Sequence, residues 1–251
     1  MPDSIATALA TPGLVWLVAT ALAAGVVYGF AGFGAALIFM PIATIFIAPE
    51  VAVAAFSISA LASLFTVVPK AWAVANKGAT LRMIGAAVVT APLGIWILRT
   101  TDDTLLRWAV SVVVFITLLA LITGWRYKGV PSHAARFGVG AATGFVGGAT
   151  GLMGPIVVLF NLSGTDPVSV SRANSLVFLT LSSLALLPLM ALQGVLGLAS
   201  VLLGLLLLVP YGVGAVVGQA LFNPQYERLY RLCAYGIIAV AVLLGLPIYN
   251  R

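Results

Sequence analysis

The chain has 251 residues, of which 62% are hydrophobic and 7% charged, with a mean hydropathy of +1.18. A soluble domain carries roughly 25% charged residues, so most of this surface must face lipid. Twelve Lys and Arg against six Asp and Glu leave a net charge of +6, but without the basic stripe or aromatic interleaving that nucleic acid requires.

Ten apolar segments follow one another, at about 12–28, 33–48, 51–69, 79–98, 104–124, 134–149, 152–163, 170–191, 196–220 and 229–248. Apolar stretches of about 20 residues cross lipid as helices, because a helix pairs its own backbone groups. The expected class is therefore an all-α, polytopic membrane protein. The first stretch reads as membrane sequence rather than a cleaved leader, since no Lys or Arg precedes Lys70.

That stretch runs into a glycine-rich interruption, G-F-A-G-F-G-A-A-L-I-F-M-P, from Gly29 to Pro41. Beyond Glu50, segment 51–69 carries Ser57, Ser59 and Ser63. A second interruption, G-F-V-G-G-A-T-G-L-M-G-P, runs from Gly144 to Pro155. The segment after it, 152–163, rises only about 18 Å against a hydrocarbon core of roughly 30 Å, which suits a half-helix or re-entrant piece.

Cations mark three loops as cytoplasmic: Lys70, Lys77 and Arg82; then Arg126, Lys128 and Arg136; then Arg228 and Arg231. The loop from Arg99 to Arg107, balanced by Asp102 and Asp103, and the connection at Gln193 and Gly194 then face outward. Ten crossings would put both termini outside.

The two halves share landmarks. Val51 to Ser57 aligns with Val168 to Asn174, Ser63 with Thr180, Thr66 with Ser183, and Pro92-Leu93-Gly94 with Pro210-Tyr211-Gly212. Five segments per half is an odd number, so the second copy enters the membrane from the opposite side, the inverted-topology pattern of secondary transporters. The expected division is a first repeat at 1–124, a cytoplasmic connection at 125–136 and a second repeat at 137–251, packed as one membrane domain.

Glycine in such clusters has two jobs. It can admit a neighbouring backbone, or it can break a helix so that amides point into a cavity and bind an anion. The glycine density and Pro155 favour the break, giving Gly32, Gly34, Gly147, Gly148, Gly151 and Gly154 as candidate substrate-binding positions. Ser57, Asn161 and Asn174 are candidate walls, with Ser163, Thr165, Ser171 and Ser175 nearby; helix–helix hydrogen bonding is the other reading of these residues. Arg172, whose repeat partner is Ala55, has two readings as well. It supplies donors to an oxygen-rich anion, or it anchors the interface, paired with Asp166. Lys70 and Lys77 read as boundary charges and His133 as a surface residue.

No span interior holds an Asp or Glu, so a buried carboxylate relay for protons is absent. Nor is there a Walker A sequence. The single Cys233 excludes an intramolecular disulfide or a cysteine-cluster metal site, and no paired carboxylates suggest an enzyme. No cofactor is expected.

With G-F-A-G-F-G-A-A-L-I-F-M-P, then G-G-A-T-G-L-M-G-P, and with P-L-G and P-Y-G-V-G later in the halves, the chain resembles the TauE/SafE (sulfite exporter, TSUP) family from about residue 12 to 248. The resemblance implies a transporter of small sulfur-containing anions, such as sulfite, thiosulfate or organosulfonates, in the bacterial cytoplasmic membrane. It carries over Gly32, Gly34, Gly147, Gly148, Gly151, Gly154 and Pro155. Ala35 and Ala36 depart from its denser glycine run, which leads us to expect more exposed amides from the second break. Export of sulfite or an organosulfonate by alternating access is the expected function, with protons as a candidate coupling ion. Thiosulfate or sulfate uptake and a passive anion channel are the alternatives.

Overall fold

The computed structural model describes residues 9–125, 132–161, 166–222, 225 and 227–248, without the side chains of 227–231. Arg126, Lys128, Ser163 and Thr165 thus lie outside the described residues, as do the side chains of Arg228 and Arg231. The described residues form helices and connecting turns, with no strand among them.

Helix α1, Leu14–Ala31, ends at Gly32 (φ 81°), and α2, Ala35–Phe46, begins after Gly34 (φ 94°). A side chain pays a steric penalty at such positive φ and glycine does not, so the chain reverses here. Gly13, at the start of α1, lies against the Phe46 ring at the end of α2. The first interruption is therefore the bend of a helical hairpin.

Segment 51–69 was expected as one span and is instead three helices: α3, Pro49–Ser59; α4, Ala62–Thr66; and α5, Val68–Val74. Ser57 and Ser59 donate to the carbonyls of Val53 and Phe56 at 2.8 Å, a back-bonding that bends helices. Tight three-residue hydrogen bonds follow at Leu61, Ser63 and Leu64. Pro69 then has no N–H to continue the ladder.

Helix α6, Lys77–Thr100, is capped by Asn76, whose side chain accepts from the Ala79 amide, and α7, Asp103–Ile122, is capped by Asp102. The second half contains α8, His133–Thr150; α9, Gly154–Asn161; α10, Val168–Leu192; α11, Leu198–Leu221; and α12, Glu227–Gly245. Ser132 caps α8, and Gly151 (φ 75°) ends it. Among the described residues, six stretches are long and apolar enough to cross a membrane: α1, α3 with α4, α6, α7, α10 and α11.

Two helix pairs hold the body together by backbone-to-backbone approach. In the α1–α11 pair, Gly25 and Gly29 face the carbonyls of Tyr211 and Ala215, while Gly214 and Gly218 face those of Leu22 and Val26. In the α6–α8 pair, Gly140, Gly144 and Gly148 face the carbonyls of Met83, Ala87 and Ala91, and Gly94 faces that of Phe145. Spacing of four residues puts these glycines on one stripe of each helix. Thr90 Oγ1 also donates across the α6–α8 pair to the Ala141 carbonyl at 2.6 Å.

Hydrogen bonds sort the connections into two ends. At one end, Arg99 Nη1 donates to the Gln193 carbonyl at 2.9 Å and Gln193 Nε2 to the Pro92 carbonyl at 3.0 Å. At the other, the Asn76 amide donates to Asn174 Oδ1 at 2.7 Å and Arg82 Nη1 pairs with His133 Nδ1 at 2.9 Å. The loops expected outside thus share one end, and the Lys77–Arg82 and His133–Arg136 regions share the opposite one.

Candidate functional site: a cavity between two broken helices

Each interruption is followed by a short helix. At 1.5 Å per residue, α2 is about 18 Å long and α9 about 12 Å. Their far ends lie at opposite ends of the molecule. Phe46 lies by the start of α1, whereas Asn161 Nδ2 donates to Ser175 Oγ, near the start of α10, at 3.0 Å. One helix reaches in from each end, and together they about equal the roughly 30 Å hydrocarbon core.

Their N-termini meet at one cavity of about 30 Å³, room for about two waters. Gly34, Ala35, Ala36 and Leu37 line it from the first break, and Gly151, Met153 and Gly154 from the second. The opening amides of a helix have no intrahelical partner and carry the positive end of its dipole. Pro155, second in α9, has no N–H to offer. Alanine carries the same N–H as glycine, so Ala35 and Ala36 leave the first break its opening amides.

The remaining walls come from long helices: Tyr28 of α1, Phe56 of α3, Leu179, Thr180 and Ser183 of α10, and Tyr211 of α11. Tyr28 shares a 2.8 Å hydrogen bond with Thr180 Oγ1 and donates to the Leu176 carbonyl at 2.9 Å. The Tyr28 and Tyr211 ring centroids are 6.1 Å apart, and Phe56 meets Tyr211 edge-on at 5.9 Å. The cavity thus combines hydroxyls and main-chain donors with aromatic faces. None of its described lining residues is charged.

The other candidates lie outside this lining. Gly32 lies against the Arg172 side chain. Arg172 Nε donates to the Phe30 carbonyl at 3.0 Å, its Nη2 donates to the Gly29 carbonyl, and its guanidinium lies 4.1 Å from the Phe222 ring centroid. A cation here complements the negative end of α1 and satisfies its last carbonyls. Asn174 holds the start of α6 through Asn76, Asn161 holds Ser175, and Ser57 bonds back within α3. Gly147 lies under the Met153 side chain, and a Cβ on Gly148 would come 2.5 Å from the Ala91 carbonyl oxygen. Both sit inside α8, ahead of the break, where close packing excludes a side chain.

Sequence reasoning did not select Tyr28, Phe56 or Tyr211. A tyrosine in mid-span was the available signal, since its hydroxyl needs a partner inside lipid. Among the described residues, no group of three His, Cys, Asp or Glu side chains could hold a metal. A larger space of about 560 Å³, between α1, α2 and α12, is walled by Trp16, Ile42, Phe46, Val240 and similar side chains. Such a wall suits lipid chains and offers an anion almost nothing.

Neither the curated proteins nor the solved structures compared with this chain gave a match. The profile of the sulfite exporter TauE/SafE family matches residues 17–244, a stretch that includes both breaks and the cavity. The chain belongs to the sulfite exporter TauE/SafE family and is a multi-pass membrane protein.

Proposed function

We propose that the protein is a secondary transporter of the bacterial cytoplasmic membrane that exports small sulfur-containing anions, sulfite or organosulfonates, by alternating access. The observation that carries this reading is the convergence of two helix N-termini, one reaching in from each end, on a single cavity. Main-chain donors bind an oxyanion without a fixed full charge, which leaves the anion free to depart.

The helix pairing supports two inverted repeats, 1–124 and 137–251, joined at 125–136. Exchanging the halves turns α1 into α8 and α6 into α11, so the α1–α11 interface becomes the α6–α8 interface. Both are glycine-striped. Movement of one such unit against the other would open the cavity alternately to the two ends. The loops bearing Lys70, Lys77, Arg82 and Arg136 are then cytoplasmic.

Reconstituted protein should show saturable uptake of labelled sulfite, accelerated by unlabelled sulfite on the opposite side. An imposed pH gradient tests proton coupling in the same vesicles. Current that persists without trans-stimulation would establish a channel, and no flux of any sulfur oxyanion or sulfonate would refute the substrate assignment.

A further inference from the structure

The two glycine-striped pairs are the cores of two larger units. Helix α3 packs on α11, and α10 packs on α6, so α1, α3 and α11 form one unit and α6, α8 and α10 the other. Exchanging the halves turns each unit into its counterpart. Side chains that cross between the units decide how readily they part on either side of the cavity.

On the side of the Lys77–Arg82 and His133–Arg136 regions, two side chains cross. Arg172 of α10 donates through Nε to the Phe30 carbonyl at 3.0 Å and through Nη2 to the Gly29 carbonyl, both in α1. Its guanidinium also lies 4.1 Å from the ring centroid of Phe222, which caps α11. One arginine thus grips two members of the opposite unit. Tyr28 of α1 reaches back to α10, donating to the Leu176 carbonyl at 2.9 Å and sharing a 2.8 Å bond with Thr180 Oγ1. Along α10, the cavity wall begins at Leu179, about 10 Å beyond Arg172. Arg172 therefore stands between the cavity and that end of the molecule.

The equivalent positions on the opposite side carry neither group. The repeat counterpart of Arg172 is Ala55. Tyr28 accepts the amide of the Gly32 cap of α1; the residue in that place before the Gly151 cap of α8 is Gly147. Where Gly32 lies against the Arg172 side chain, Gly151 lies against Val53 and Met40. The Arg99–Gln193 and Gln193–Pro92 bonds at that end join α6 to α10, within one unit. Apolar contacts between helices gain little over contact with lipid, whereas a charged hydrogen bond to a buried carbonyl is costly to break unless it is replaced. The two sides are therefore unequally closed.

Resting on the alternating-access reading above, we propose that Arg172 and Tyr28 form a latch on the cytoplasmic side of the cavity, so that the protein rests closed to the cytoplasm and opens outward at lower cost. Inward opening must strip the guanidinium from two carbonyls and a ring in one movement. Turnover needs both states, so loss of the latch displaces the equilibrium and slows the cycle even as the cytoplasmic side opens.

The test reads both sides without relying on the flux of any anion. In full-length protein carrying Cys233→Ser, Ser183→Cys places a thiol on the cavity wall, and membrane vesicles of either orientation are treated with a membrane-impermeant thiol reagent. Labelling should be faster from the outer face, and Arg172→Gln should raise the ratio of cytoplasmic to outer labelling at least about tenfold, the equivalent of one charged hydrogen bond. Tyr28→Phe keeps the ring and should raise the ratio by a smaller factor; it carries the test if Arg172→Gln does not fold. A ratio that stays within about twofold in the folded variants, or falls, overturns the latch, as does faster cytoplasmic labelling before either substitution; the transport reading then stands. A thiol unlabelled from both faces in every variant refutes both.

Discussion

Replacing Arg172 with Gln separates two roles that a cation at this position could have. The guanidinium makes two hydrogen bonds to the C-terminal carbonyls of α1 and stacks on Phe222. Hydrogen bonds from a charged donor contribute about 1.5–3 kcal/mol each, and a cation–π contact about 0.5–2 kcal/mol. Arg172 is only partly buried and Gln retains one amide donor, so the net loss should be about 2–4 kcal/mol. For a chain of this size that corresponds to an apparent melting shift of about 4–16 °C. Thermal unfolding in detergent, alongside initial-rate uptake in proteoliposomes, measures both effects. We expect a lowered melting temperature and lowered maximal flux, with apparent affinity for the anion changed less than about threefold. Arg172→Lys should recover only part of the stability, because a single ammonium does not reproduce the planar fork. An unshifted melting temperature combined with a tenfold loss of affinity would refute the clamp and make Arg172 a direct ligand.

Two further substitutions test the two uses of glycine. Gly144→Ala drives a Cβ into the Ala87 backbone across the α6–α8 interface and should destabilise by about 1–3 kcal/mol, whereas Gly85→Ala, with open space around it, should be neutral or stabilise by about 0.5–1 kcal/mol. Equal melting temperatures for the pair would refute the packing argument. Gly34→Ala meets the Val27 methyl at 3.1 Å and Ile238 Cδ1 at 3.7 Å, and its positive φ costs about 1–2 kcal/mol; the protein should fold with weakened anion affinity, and unchanged affinity in uptake assays would remove the first break from the site.

The all-helical membrane architecture was legible because lipid leaves the backbone few options, and the long apolar stretches recur as helices. The breaks were legible where glycine meets a backbone requirement, as at Gly32, Gly34 and Gly151, whose φ angles are positive. Gly147 and Gly148 looked the same in sequence but belong to a helix. The clue was the spacing of Gly140, Gly144 and Gly148, one turn apart on one stripe, the signature of a packing face. The division of segment 51–69 was hidden because serine hydroxyls bonding to their own helix leave the hydropathy pattern intact. Tyr28, Thr180 and Tyr211 meet only through tertiary packing between distant stretches, which periodicity within one segment cannot report.

Because the donors at the starts of α2 and α9 belong to the main chain, no exchange of one ordinary side chain for another deletes them. On the proposed transport reading, an alanine scan of the cavity would report only its walls and would overlook the groups proposed to face the anion's charge. Amide-to-ester exchange at Ala35, Ala36 or Leu37 removes a donor while keeping the side chain, and so reaches them directly. On that reading the wall residues are free to vary: substitutions at positions such as Phe56 or Ser183 would reshape the chamber for a different oxyanion without disturbing the main-chain groups proposed to hold its charge.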